Sequence, residues 1–326
     1  MKILITGGSG FIGSTLARAL AATEIARNAQ DTEFKISRIL LADRVQPQAP
    51  DDPRVETAVG DVGDPAFIRS LVTPDTRLVF HLAGVVSGAA EADFALGMHA
   101  NLDGTRHMLE ACRALPEPVR LVFASSIAVY GRPLPDIIDD DTPMRPTLSY
   151  GVQKLVCEIL LGEYTRRNFV DARALRLSGV VVRPPAPNGA LSGFNSDLIR
   201  EPIEGREYTC PVGPEATIWM QSVGRCVKNL IHAAHLPSTF LGDRRALLLP
   251  AVAVSIGEIV DAIRHIVSED AAARVRYQRN DDLQEQFGAW PRRIAAARAT
   301  RLGFEADAGL GEIIRGFVKG RSGAGA

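Results

Sequence analysis

A chain of 326 residues that is 46% hydrophobic can bury a large core, as one large domain or two ordinary ones. A formal net charge of -1 offers no electrostatic reason for nucleic acid or an anionic membrane as partner, which leaves a small molecule as the expected ligand. Cys112, Cys157, Cys210 and Cys226 are widely separated and form no C-x-x-C pair, so neither a metal site nor a disulfide framework is expected.

The opening apolar run stops at Gly7, too soon for a signal peptide, and no stretch reaches the length of a membrane span; a cytoplasmic protein is expected. Lys2 to Thr6 reads as a strand, and Ile12, Leu16 and Leu20 recur at helical spacing after the glycines. Short apolar runs return at Arg38 to Asp43, Val55 to Asp61, Leu78 to Ala83, Val119 to Ser126 and Asp171 to Leu177, with helical segments between them. Asp64-Pro65 predicts a capped helix start, and longer helices are predicted from about Asp93 to Leu115 and from about Ser149 to Asn168.

Strands alternating with helices require crossover connections, so the expected class is α/β: a doubly wound parallel Rossmann sheet with a smaller C-terminal α/β substrate lid. The boundary falls near residue 180, giving a dinucleotide-binding domain over 1–180 and a lid over 181–326. A helix near 221–236 is expected to pack back onto the first domain. Pro184, Pro185, Pro187 and Gly189 mark a loop, and Gly323 to Ala326 read as a frayed tail.

Gly7-x-x-Gly10-x-x-Gly13 sits between a predicted strand and a predicted helix. There glycines let the backbone approach a pyrophosphate on the helix N-terminus, whose N–H groups at Phe11 and Ile12 are the expected donors. A lone glycine triplet also suits a tight turn, and its place between strand and helix favours the phosphate reading. Asp43, ending the second strand, is the expected acceptor for the adenosine ribose hydroxyls and would repel a 2′-phosphate, which favours NAD over NADP; Arg44 beside it keeps NADP open. Asp43 lies further from Gly13 than the usual spacing of about 20 residues; an insertion around Asn28 to Ser37 accounts for the excess. Asp61 and Val62, ending the third strand, fall where adenine would stack, or form a plain strand-end turn.

Tyr150 and Lys154 are spaced i, i+4 at the start of a helix, on one face. A lysine ammonium beside a phenol stabilises the phenolate, as a general base requires, whereas the bland alternative is a surface pair. Ser125 and Ser126 end the fifth strand at the carboxyl edge, where α/β sheets put their ligands; a hydroxyl there can hold a substrate oxygen or simply cap the strand.

Thr6-Gly7-Gly8-Ser9-Gly10-Phe11-Ile12-Gly13, His81-Leu82-Ala83, Asn101-Leu102-Asp103-Gly104-Thr105, Ser125-Ser126-Ile127-Ala128-Val129-Tyr130-Gly131, Tyr150-x-x-x-Lys154 and the late Leu302-Gly303-Phe304 together resemble the extended short-chain dehydrogenase/reductase (NAD-dependent epimerase/dehydratase) family. The resemblance implies that Ser126, Tyr150 and Lys154 are catalytic: Ser126 polarises the substrate hydroxyl, Tyr150 is the acid/base and Lys154 also binds the nicotinamide ribose. It implies NAD contacts at Leu82, Ala83 and Asn101 beside the glycines.

Family dehydratases carry Asp-Glu after the catalytic hydroxyl, where this chain has Ile127-Ala128. Sugar-nucleotide epimerases carry an arginine in a lid stretch that here reads Thr217-Ile218-Trp219-Met220-Gln221. The run His81 to Glu91, the loop Ser192 to Ser196 with Arg200-Glu201-Pro202, and Arg183-Pro184 closing the sixth strand are similar to the D-erythronate (sugar-acid) dehydrogenase branch. Ser178-Gly179 departs from the stiffer pair expected in that strand. The implied reaction is NAD-dependent oxidation of the hydroxyl next to the carboxylate of a four-carbon sugar acid, with the proton going to Tyr150.

Ser87, Ser125, Arg183 and Asn195 are candidates for the substrate carboxylate, each with a plain structural alternative; Trp219 walls the pocket or fills the core. A nucleotide-sugar epimerase with tightly bound NAD is the second reading, and a non-catalytic dinucleotide sensor the third. A homodimer through a four-helix interface is expected from the two long helices, as in relatives.

Overall fold

Residues 1–185, 191–288 and 290–323 are described by a computed structural model. Seven strands form one parallel sheet: β1 (Lys2–Thr6), β2 (Arg38–Asp43), β3 (Val55–Val59), β4 (Thr76–His81), β5 (Val119–Ser126), β6 (Val170–Leu177) and β7 (Ala246–Leu248). Their order is β7-β6-β5-β4-β1-β2-β3. The chain therefore winds outward from β1 in both directions and opens a crevice beyond the carboxyl ends of β1 and β4, where connections diverge to opposite faces.

Alternation along β1 divides the apolar side chains between two cores. Ile3 and Ile5 pack on the face covered by the helices Phe11–Ala21 and Val223–His235, through Leu16, Leu20, Cys226 and Leu230. Leu4 packs on the other, against Ile68, Met108, Cys112, Cys157 and Leu161 of three further helices. Burial on both faces explains the uninterrupted apolar runs of the central strands.

The helix Val223–His235 is fastened at both ends. The Ser222 hydroxyl accepts from the Arg225 amide at 3.0 Å and donates to Asp307 at 2.5 Å. At the far end the carbonyls of Ala233, Ala234 and Leu236 accept from the buried guanidinium groups of Arg173 and Arg120. Asp171 neutralises both arginines, and Asp31 adds a second carboxylate to Arg120. The insertion expected before β2 includes a hairpin, Ile25–Arg27 with Glu33–Lys35, and its turn supplies Asp31. Two segments from beyond residue 180, this helix and β7, thus belong to the layers around the large sheet.

A second, smaller body contains the mixed sheet Gly179–Val181, Thr217–Ser222 and Val252–Ser255. Its core packs the helices Phe194–Ile203, Ile256–Ile266 and Leu310–Gly323. Here the structure corrects one expectation: Ser192 to Ser196 is not a loop. A 3₁₀ turn over Leu191–Gly193 leads into the helix Phe194–Ile203, because Phe194, Leu198 and Ile199 fall on one helical face and pack into this third core. The helix expected from Asp93 to Leu115 is interrupted by a wide π turn at Met98–Asp103 between Phe94–Gly97 and Gly104–Arg113. Pro187, Gly189 and the tail beyond Gly323 lie outside the described residues.

Candidate active site

The crevice at the carboxyl edge widens into a cleft of about 1010 Å³, at the upper end of the range for ligand sites. Gly7, Leu82, Ser126 and Leu177 reach it from the ends of β1, β4, β5 and β6. Its far wall is the smaller body: Trp219, the helix Asp281–Phe287 and Trp290.

The glycine turn opens directly on this cleft. Gly7 is in the left-handed region at φ 76°, and a Cβ there would lie 2.9 Å from the backbone of Leu82 and Ala83. A Cβ on Gly13 would overlap the Gly7 carbonyl oxygen. No side chain among the described residues caps the helix that begins at Phe11, so its first N–H groups are open to an acceptor from outside the chain. Glycines packed too tightly for any side chain, before an uncapped helix, fit the pyrophosphate of a dinucleotide.

Gly10, Phe11, Ile12 and Gly13 line the cleft, whereas Asp43, Asp61, Val62, Ala83 and Asn101 do not. Asp43 accepts from the Ser9 amide at 3.0 Å, which sets it at the outer edge of the glycine turn. Asp61 accepts from the Gly63 amide at 2.8 Å and pairs with His99 at 3.4 Å. Val62 is buried against Gly104, and the Ala83 amide donates to the Thr6 hydroxyl. Asn101, at the wide π turn, accepts from the Val85 amide at 2.9 Å and donates to Gln153 at 2.7 Å. Its amide thereby ties the loop after β4 to the helix of Tyr150.

That helix runs Ser149–Arg166, and residues 150, 154 and 158 share one face. The Lys154 ammonium is buried, donates to the Ala124 carbonyl at 2.9 Å, and lies 4.5 Å from the Phe123 ring centre and 5.6 Å from that of Tyr150. Among the described residues no carboxylate pairs with it. Burial first, and the Lys154 charge second, push His81 beneath it down to about 3, so that imidazole stays neutral between Thr6 and Thr105. Ser126 caps the 3₁₀ turn Ile127–Val129, its hydroxyl accepting from the Ala128 amide at 3.1 Å, which leaves its proton free to donate. The Ser125 hydroxyl instead donates to Glu158 at 2.5 Å; Glu158 is held by Arg176, and Arg176 also donates to the Tyr130 hydroxyl at 2.8 Å. A hydroxyl donor, a phenol and a buried cation thus converge on one cleft, an arrangement that can move a proton from a bound alcohol.

Ser87, Arg183 and Asn195 line the same cleft. Burial pulls the Arg183 guanidinium below its ordinary range and Tyr150 nearby opposes that; its Nε donates to the Val180 carbonyl at 3.1 Å. No carboxylate pairs with Arg183 among the described residues. Asn195 is buried in the helix Phe194–Ile203 and its Oδ1 accepts no hydrogen bond among the described residues. Trp219 both fills core and walls the cleft: its indole donates to the Pro291 carbonyl at 2.7 Å, and its ring lies 5.0 Å from Trp290.

The family model described as the NAD dependent epimerase/dehydratase family matches residues 3–233. The chain belongs to that family. It is 45% identical over 98% of both chains to a protein named D-erythronate dehydrogenase from Cupriavidus necator, and 36% identical to one of the same name from Haemophilus influenzae, over 98% of this chain and 99% of the relative. A solved structure described as the nucleoside-diphosphate-sugar epimerase from Agrobacterium tumefaciens superposes with a TM-score of 0.91 at 36% identity, covering 99% of this chain and 95% of that one. An L-threonine dehydrogenase from Clostridium difficile shares the fold, with a TM-score of 0.84 at 23% identity over 98% and 96% of the two chains.

For this member of the NAD-dependent family the sequence did not point to Arg132, Glu285 or Trp290. Arg132 pairs with Glu285 at 3.2 Å, and all three line the cleft. No spacing rule links positions so far apart in the chain; only the docking of the smaller body unites them.

Proposed function

We propose that the chain is an NAD-dependent dehydrogenase that oxidises the hydroxyl next to the carboxylate of a small sugar acid, D-erythronate to 2-dehydro-D-erythronate. The names of the two nearly full-length relatives support this substrate. The observation that carries it is Arg183: a guanidinium with no carboxylate partner among the described residues, in the same cleft as Tyr150, which opposes the effect of burial on it. A substrate carboxylate is the natural counter-ion, and it would hold the neighbouring hydroxyl against the phenol.

In this reading the Phe11 and Ile12 amides, the three glycines and Leu82 hold the dinucleotide, Asp43 its adenosine ribose and Lys154 its nicotinamide ribose. Asp61, Val62, Ala83 and Asn101 shape the strand ends around it. NAD held there would supply the hydride acceptor for the carbinol carbon. Ser126 donates to the substrate oxygen, Tyr150 takes the hydroxyl proton, and the Lys154 ammonium stabilises the phenolate. Arg183, Asn195 and Ser87 orient the acid. Release of NADH from NAD and D-erythronate, followed by absorbance, tests the proposal; no turnover on any four- to six-carbon sugar acid overturns it.

A nucleotide-sugar epimerase is the second reading, favoured by the description of the Agrobacterium structure. Against it stands the strand Thr217–Ser222, which carries no cation for a diphosphate and puts the buried Trp219 into the cleft wall. Tightly retained NAD and interconversion of UDP-sugars would support that reading instead. The chain further acts as a homodimer, which the exposed Val152 and Ile159 on one face of the Ser149–Arg166 helix support; no helix among the described residues is long and apolar enough to cross a membrane. Light scattering should give a dimer, and Ile159→Glu a monomer.

A further inference from the structure

Ser178 and Asn195 each carry a polar oxygen with no partner among the described residues, and both residues line the cleft. Ser178 follows β6 and is 8% exposed; Asn195 is 5% exposed on the helix opposite. Bulk water reaches neither oxygen, so each carries the penalty of an unpaired buried polar group. Gly179 follows Ser178 in the chain and lies against Asn195. A Cβ there would fall 3.2 Å from the Asn195 Nδ2 and 3.0 Å from the Trp219 carbonyl, so the glycine is what allows the asparagine to close on the strand.

We propose that Ser178 is a specificity-determining residue: with Asn195 it forms a polar subsite that pairs a hydroxyl beyond the reacting carbon of the substrate, and so selects polyhydroxy acids over deoxy acids. The inference rests on the dehydrogenase reading above and deepens it. Arg183 leaves the same stretch of chain, Gly179–Val181 and the residues after it, so a carboxylate on Arg183 directs the rest of a short acid along this wall. Serine and asparagine side chains reorient by a staggered χ1 step or a χ2 flip, which turns either oxygen into the cleft that its own residue lines. A substrate hydroxyl arriving there recovers two missing hydrogen bonds, while an analogue without it leaves both oxygens stranded. A site built to pair a hydroxyl discriminates in this way, whereas an apolar wall would not.

The test compares kcat/KM for D-erythronate with that for 2,4-dihydroxybutyrate and 2,3-dihydroxybutyrate, which lack the hydroxyl on carbon 3 or carbon 4. Wild type should prefer D-erythronate over at least one of them. Ser178→Ala should reduce that preference about tenfold, the worth of one net hydrogen bond, chiefly by raising KM for D-erythronate. Ser178→Thr, which keeps the hydroxyl, should retain the preference, and an unchanged thermal midpoint would show that both variants fold. Equal loss on all three acids, or no change in the ratio, overturns the Ser178 assignment and leaves the dehydrogenase intact. Wild type inactive on every acid overturns the dehydrogenase reading and this inference with it.

Discussion

The Ser125 hydroxyl donates to the Glu158 carboxylate across 2.5 Å, joining the strand that ends in Ser126 to the helix that carries Tyr150 and Lys154. Arg176 completes the join by holding Glu158 and the Tyr130 hydroxyl together. Both flanks of the Ser126 turn therefore rest on one buried ion pair. Ser125→Ala should lower kcat about tenfold while NAD affinity stays within about twofold, because a displaced hydroxyl affects orientation more than cofactor binding. Steady-state rates with a fluorescence titration of NAD decide this; an unaltered kcat would remove Ser125 from the positioning role.

Removing the phenolic oxygen should abolish the proton transfer and little else. Tyr150→Phe is expected to lose about 10²- to 10⁴-fold in kcat, the usual worth of general acid–base catalysis. Lys154→Met should lose affinity for NAD as well, since the same ammonium serves both. Isothermal titration of NAD into each variant separates the two cases.

Substrate affinity should depend on Arg183. A hydrogen bond to a charged group is worth about 1.5–3 kcal/mol, so Arg183→Ala should raise KM for the acid about 10- to 100-fold with a smaller change in kcat. Arg183→Lys should recover only part, because a point charge does not reproduce a forked donor. A KM unchanged in the alanine variant would show that the carboxylate binds elsewhere.

The glycines are not equivalent. Gly13→Ala drives a Cβ into the Gly7 carbonyl, whereas at Gly10 the nearest atom is that same oxygen at 3.2 Å, with φ an ordinary -70°. Gly13→Ala should therefore raise the NAD dissociation constant sharply and lower the thermal midpoint, and Gly10→Ala should do both weakly. Equal effects would mean that the turn relaxes freely.

Acid stability should follow Asp171. Burial pushes its carboxyl up, but the charges of Arg173 and Arg120 outweigh that and leave it below its ordinary value. A carboxyl depressed in the folded state contributes stability that is present above the unfolded value of about 3.9 and is lost as pH falls through the folded one. Asp171→Asn should destabilise the protein at neutral pH by about 3–5 kcal/mol, as expected when a buried ion pair loses one partner. It should also flatten the dependence of the unfolding midpoint on pH below about 4. A variant as acid-sensitive as wild type would assign that sensitivity to other carboxylates.

Where chemistry lies in local spacing, the chain alone was informative. Val119 to Ser126 matches β5 residue for residue, because both faces of that strand are buried and its apolar run is unbroken. The i, i+4 placement of Tyr150 and Lys154 and the strand–glycine–helix order at Gly7 to Gly13 hold for the same reason: they depend on periods of the backbone itself. Ser192 to Ser196 misled, since serine, glycine and asparagine resemble a loop until Phe194, Leu198 and Ile199 have a core to pack against.

The sequence by itself determined the fold class, the family and NAD as cofactor, and singled out Ser126, Tyr150 and Lys154 as candidates, because each signal lies in short motifs and backbone periods. Only the tertiary structure decided what surrounds them: that Ser125 is committed to Glu158, that Arg183 has no carboxylate partner among the described residues, and that Asn195 closes on Gly179, the neighbour of Ser178. These relationships join residues far apart in sequence, and they exist only once burial has brought their elements together and made the pairing of every polar atom matter.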